Sequence, residues 1–182
     1  LASLYWKERK IFFRDVRHWS QLILIASLMS IYLFSIYRLP LDTLELKRLV
    51  CFLNIFAAGL VLCALGLRFT FPSISLEGKS FWVVRTAPLQ SHALMIQKLL
   101  FSLFPMFILG TILVLCSNYL LQADAFISWL TLGTIWVVTI VVCAMGIGFG
   151  AIFPRFDVEN IHQVESSAGG FVYMACSFAY VL

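Results

Sequence analysis

Charge is what this sequence has least of. Its 182 residues include 13 Lys and Arg, 9 Asp and Glu and 3 His, so charged residues make up 12%, against about 25% in a soluble domain. Apolar residues make up 62%, and the mean hydropathy is +0.95. Too few polar side chains are present to cover a water-facing surface, which excludes a soluble enzyme and a disordered tail. The five cysteines (Cys51, Cys63, Cys116, Cys143 and Cys176) fall in apolar runs and form no CxxC or Cys/His pattern. That excludes a disulfide scaffold and reads as thiols buried as small hydrophobes. Also missing are a Ser/His/Asp set, an HExxH sequence and a glycine-rich dinucleotide loop. No catalytic residue, cofactor site or metal site is therefore expected. The basic residues are explained by a membrane, and nucleic acid is not an expected partner. The sequence opens at Leu1 without a signal-peptide layout and stops at Leu182 inside an apolar run, so it is expected to be a piece of a longer protein.

What the sequence does have is long apolar runs. A helix crossing the bilayer needs about 20 largely apolar residues, and four stretches meet that: 19–37, 49–67, 99–121 and 126–153. A fifth, 169–182, begins near Gly169 and is cut short by the end of the sequence. The expected fold is all-α: a polytopic membrane helix bundle of about five spans in a single transmembrane domain covering 1–182. Span four is long for one crossing and should tilt or let its Gly-rich end emerge. Pro105 should kink span three. Gly146 and Gly150 stand at GxxxG spacing, which permits close helix approach. No Asp, Glu, Lys, Arg or His lies in the first four spans, which argues against ion-coupled transport. Asn54, Asn118 and scattered Ser and Thr are expected to hydrogen-bond neighbouring helices.

Lys and Arg in the flanks set the orientation. Lys7, Arg9, Lys10, Arg14 and Arg17 precede span one; Arg68, Lys79, Arg85 and Lys98 lie between spans two and three; Arg155 follows span four. The opposite loops hold Arg38, Lys47 and Arg48. The N-terminal side, the 68–98 loop and the 154–168 loop are therefore expected in the cytoplasm, with a tight external turn at Gln122 to Ala125. Residues 1–18 read as an interfacial helix in which Lys7, Lys10, Arg14 and Arg17 share one face above an aromatic underside. Such a face contacts anionic membrane lipid.

Two cytoplasmic stretches could carry more than anchorage. In the 68–98 loop, Ser73 or Ser75 can cap a short helix with Glu77 in its first turn and Pro88 as its end. Ser91 can cap a second helix running through Lys98 into span three. The short helix would present Phe81, Trp82 and Arg85, a composition enriched at protein contacts and equally suited to headgroup anchorage. Ser73-x4-Gly78-Lys79-Ser80 differs from a phosphate-binding loop only at its first glycine, but that loop needs a preceding strand, and a membrane helix stands there instead. The 154–165 loop gathers Asp157, Glu159, His162 and Glu165. At helical spacing, Glu159, His162 and Glu165 fit a solvated helix face better than a metal or acid–base site.

The strings Arg68-Phe-Thr-Phe-Pro72-Ser-Ile-Ser-Leu-Glu77-Gly-Lys-Ser-Phe-Trp82-Val-Val-Arg85-Thr-Ala-Pro88 and Phe153-Pro-Arg-Phe-Asp-Val-Glu-Asn160, with Gly169-Gly170, resemble the permease (membrane) subunits of bacterial type-2 ABC exporters. Lys10-Ile-Phe-Phe-Arg-Asp-Val-Arg-His-Trp-Ser-Gln21 is similar to the helix that leads into a span in that family. The resemblance implies a fragment covering roughly the later half of one subunit, in the bacterial cytoplasmic (inner) membrane. It implies no catalysis by this chain, because ATP would be hydrolysed on a cytoplasmic ATPase subunit, and it implies pairing with a second permease half or subunit. It also implies a coupling helix in the 68–98 loop, with Glu77, Gly78, Phe81, Trp82 and Arg85 as the residues that meet the ATPase. The alternative is a membrane-embedded enzyme acting on lipid-like substrates through the 154–165 loop.

Overall fold

A computed structural model describes residues 16–38, 44–76, 91–155 and 161–182. All regular structure among them is helical: α1 (Val16–Tyr37), α2 (Leu44–Phe69), a 3-10 turn (Phe71–Ser73), α3 (Ser91–Leu121), α4 (Ala125–Ile152), α5 (Ile161–Glu165) and α6 (Ala168–Val181). Helix is what such a composition must form. In hydrocarbon every backbone N–H and C=O needs a partner within the protein, and only a helix provides it within one segment. Three stretches are long and apolar enough to cross a membrane: Leu49–Ser73, Met95–Leu121 and Ala125–Ile152. They correspond to the second, third and fourth expected spans. The apolar stretches Ala26–Tyr37 in α1 and Ala168–Val181 are shorter helices. α3 runs unbroken from Ser91 through Pro105 to Leu121, so the helix expected from Ser91 and the third span are one element.

α2 is the central helix and packs against α3, α4, α6 and the 3-10 turn, while α1 lies against α3. The main core joins Leu62 and Leu65 of α2, Met106 and Leu113 of α3, Ile135 and Val142 of α4, and Tyr173 of α6, all essentially without exposed surface. A smaller cluster of Ile36, Cys51 and Leu121 closes the end where α3 turns into α4. Outward faces carry Phe34, Phe52, Phe104, Tyr119, Trp129 and Phe171, the pattern of a bundle solvated by acyl chains. All five cysteines are free; three are buried, Cys176 is half-buried and Cys116 faces outward.

Of the expected polar cross-links, that of Asn54 is present. The buried Asn118 Nδ2 has no hydrogen-bond partner among the described residues, and most Ser and Thr hydroxyls bond a carbonyl of their own helix. Tyr32 Oη of α1 donates to Asn54 Oδ1 of α2. Asn54 Nδ2 in turn donates to Ser117 Oγ of α3 (3.0 Å), and the Ser117 hydroxyl donates to the Val114 carbonyl (3.1 Å). One relay thus ties three helices. Membrane hydrogen bonds of this kind contribute on average about 0.6 kcal/mol. Tyr32→Phe should therefore lower stability by about 0.5–1.5 kcal/mol, whereas in an Asn54→Ala background the same change should cost close to nothing. A thermal-unfolding double-mutant cycle in detergent reads the difference.

The α3–α4 connection is as short as the sequence suggested. Ala123 N–H bonds the Asn118 carbonyl (3.0 Å) and Gln122 N–H bonds that of Tyr119 (3.1 Å), a Schellman closure. Gln122 holds φ at 47°, in the left-handed region where a Cβ crowds the following carbonyl. Asp124 then opens α4. Gln122→Gly should be more stable than Gln122→Ala by about 1 kcal/mol, since both remove the same side chain and only Gly tolerates this φ freely. Equal melting temperatures for the two variants would contradict the assignment.

Candidate functional site

The residues proposed for coupling (Glu77, Gly78, Phe81, Trp82 and Arg85) lie outside the described residues, as do Lys7, Lys10 and Arg14 of the expected interfacial helix. Arg17 falls in the first turn of α1, with its side chain outside the description. What the structure does place is the anchorage on which the 77–90 segment hangs. That anchorage joins the strings that carry the family resemblance.

After Phe69 the chain stays buried. Thr70 and Phe71 have no exposed surface, and Pro72, Ile74 and Ser75 are buried. Pro72 suits the first turn of the 3-10 segment, where no backbone donor is needed. The turn lies on the last part of α4, and two glycines make room for it. A Cβ on Gly150 would stand 2.5 Å from the Phe71 carbonyl oxygen, and one on Gly146 would stand 2.9 Å from the Thr70 methyl. The GxxxG spacing therefore admits a turn of backbone, where the sequence suggested a helix. Phe71 stacks on Tyr173 of α6 (centroids 5.9 Å apart). Tyr173 Oη donates to the Cys63 carbonyl of α2 (3.3 Å). Thr70 Oγ1 lies 3.8 Å from Cys143 Sγ of α4.

The second string closes over the first. α4 ends at Ile152, and the Arg155 N–H donates to Ser75 Oγ (3.1 Å). Ser75 is thus an acceptor for the 153–155 corner, where the sequence offered it as a cap for a following helix. Ser73 Oγ donates back to the Thr70 carbonyl (2.6 Å). Gly169 lies against Phe153, and Gly170 against the Glu165 carbonyl. Ser167 caps α6 by accepting the Gly170 N–H (3.3 Å). The region is a knot in which α2, α4, α5 and α6 meet around Phe71. Phe71, Ser75, Arg155, Gly169 and Gly170 all stood in the recognised strings; the bond from Arg155 to Ser75 and the seat of Phe71 on Gly150 did not show in the spacing.

Glu159 lies outside the described residues. His162 Nδ1 stands 3.2 Å from Glu165 Oε2, one helical turn on, with His162 exposed and Glu165 largely covered. Glu165 Oε1 is buried without a hydrogen-bond partner among the described residues, and Val164 between them is in the core. α5 is therefore tucked into the knot on one side, more than the solvated face expected of it. Among the described residues no three metal-ligating side chains come together.

The two kinds of glycine on α4 give a direct test of the knot. Gly148→Ala meets nothing within 4 Å and should stabilise the helix by up to about 1 kcal/mol. Gly150→Ala forces its methyl into a carbonyl oxygen and should cost about 2 kcal/mol or more. Thermal unfolding of the two variants in one detergent decides it, and similar effects from both would remove the turn from α4.

No curated protein and no solved structure matches the chain. A family model does match, over residues 1–182. With its membrane-length helices and the knot that gathers its recognised strings, the chain belongs to the ATP-binding cassette family described as "Putative ATP-binding cassette".

Proposed function

We propose that the chain is the transmembrane permease subunit of an ATP-driven exporter and moves its substrate with ATP hydrolysed on a separate ATPase subunit. The observation that carries this reading is the knot around Phe71. The 77–90 segment leaves directly from a turn buried against α2, α4 and α6, so a push on that segment reaches three helices at once. Permease subunits need such a route, because their energy arrives from outside the membrane.

The chain's own residues support a membrane role over a nucleotide-binding one. The near-match to a phosphate-binding loop starts at Ser73, in a 3-10 turn that follows a membrane-length helix, and the Ser73 hydroxyl is bonded to Thr70. A phosphate loop starts from a strand. The spans lack the ionisable groups that would couple transport to an ion gradient. On this reading 1–182 is one transmembrane domain with five spans in the bacterial inner membrane. Its N-terminal side, the 68–98 loop and the 154–168 loop face the cytoplasm, and residues 1–18 lie along the interface. A second permease half completes the pathway, and the chain catalyses nothing itself.

The test is co-purification of the full-length protein with an ATPase subunit, followed by ATP-driven transport in vesicles. Phe81→Ala or Trp82→Ala should weaken ATPase binding by about 2 kcal/mol or more, as central aromatic anchors do. ATP hydrolysis should persist while transport falls. Wild-type binding and transport in both variants would remove the coupling role from this helix, and a full-length protein that purifies without any ATPase would argue against the exporter.

A further inference from the structure

Between Thr70 and Ser75 the chain has left α2 but remains inside the protein. Ile74 and Ser75 keep 8% and 5% of their surface, and the next residue, Leu76, keeps 39%. The change from buried to exposed chain therefore falls between Ser75 and Leu76. Three contacts hold the inner side: the Phe71 carbonyl on Gly150, the Thr70 side chain on Gly146, and the Arg155 N–H on Ser75 Oγ. The glycine contacts bring the turn against the bare backbone of α4, where no side chain can rotate to give slack. The third ties the far end of the turn to the corner that ends α4.

The turn itself has little freedom. A hinge needs residues that can absorb a large change in φ and ψ. Here Pro72 fixes φ, and Thr70 and Ile74 are β-branched and helical in φ and ψ (−88°, −46° and −79°, −45°). The first glycine beyond the turn is Gly78. We infer that Thr70–Ser75 and Phe153–Arg155 form a fixed joint, so that α2 and α4 move as one body when the segment beyond Leu76 is displaced. The joint belongs to this chain alone; the inference rests on the exporter reading only for what displaces the segment.

The experiment compares the reactivity of Ile74→Cys and Leu76→Cys toward a water-soluble maleimide in the full-length protein, against the same protein without an added cysteine. Leu76→Cys should react readily and Ile74→Cys at least about tenfold more slowly, because a protected site reacts only through local opening. The ratio should be the same at rest and while a bound ATPase turns over ATP. Ser75→Ala should raise the Ile74→Cys rate and Ser75→Thr, which keeps the hydroxyl, should not. Gly150→Ala should raise it further; if that variant fails to fold, the Ser75 pair carries the comparison. An Ile74→Cys that reacts as fast as Leu76→Cys, or that speeds up during turnover, would make the region a hinge and overturn the inference. The resting ratio needs no partner. A slow Ile74→Cys in a protein that binds no ATPase would therefore uphold the joint while removing the exporter reading.

Discussion

Everything at one end of this bundle depends on the Phe71 carbonyl resting on Gly150. That contact brings backbone to backbone between a turn and a helix, and it is possible only because α4 offers no side chain at 146 and 150. Once the turn lies there, the Phe71 ring points to Tyr173, and Tyr173 reaches the Cys63 carbonyl. Ser75 then arrives at the corner where α4 ends. Dispersion between close-packed surfaces is the main force available in lipid, where burial from water drives nothing. A single extra methyl at Gly150 would forfeit that closeness along the whole turn.

The fold was largely legible because membrane helices are specified by length and apolarity. The expected span 126–153 and the helix Ala125–Ile152 differ by one residue at each end. α3 begins at Ser91, within a residue of where a capping serine there would start it, and Asn54 hydrogen-bonds across helices as a lone amide in a span should. The joint was less legible. Arg68-Phe-Thr-Phe-Pro could be recognised as a string, but that Thr70 and Phe71 are wholly buried depends on what lies opposite them, on α4 some 75 residues later. Ser75 has the chemistry of a cap and serves here as an acceptor for a distant backbone donor. Nothing local distinguishes the two uses. The glycine pair misled in a similar way, since GxxxG spacing states that something comes close and leaves open what it is.

The relay from Tyr32 through Asn54 to Ser117 and the joint around Phe71 share a design. Each ties helices with groups that carry no net charge, so neither incurs the cost of holding an ion in hydrocarbon. The relay uses side-chain hydrogen bonds, and the joint uses backbone packing and one backbone donor. Rigidity is thus built from neutral parts. Charged groups do come under cover at the edges of the bundle, where Lys98 and the Glu165 side chain are largely buried.

The Schellman closure at Gln122 bears on how the chain assembles. α3 ends at Leu121 and α4 begins at Ala125, so the two longest helices are joined by three residues. Bringing their ends together costs almost no chain entropy, and the pair can form as soon as both are synthesised. Contacts of such short sequence separation form early. The contacts of Thr70 and Phe71 with α4, by contrast, close a loop that contains all of α3. The hairpin is therefore the scaffold on which the slower joint is later set, and the residue that fixes its reversal stands far along the chain from the region that hypothesised partners would touch.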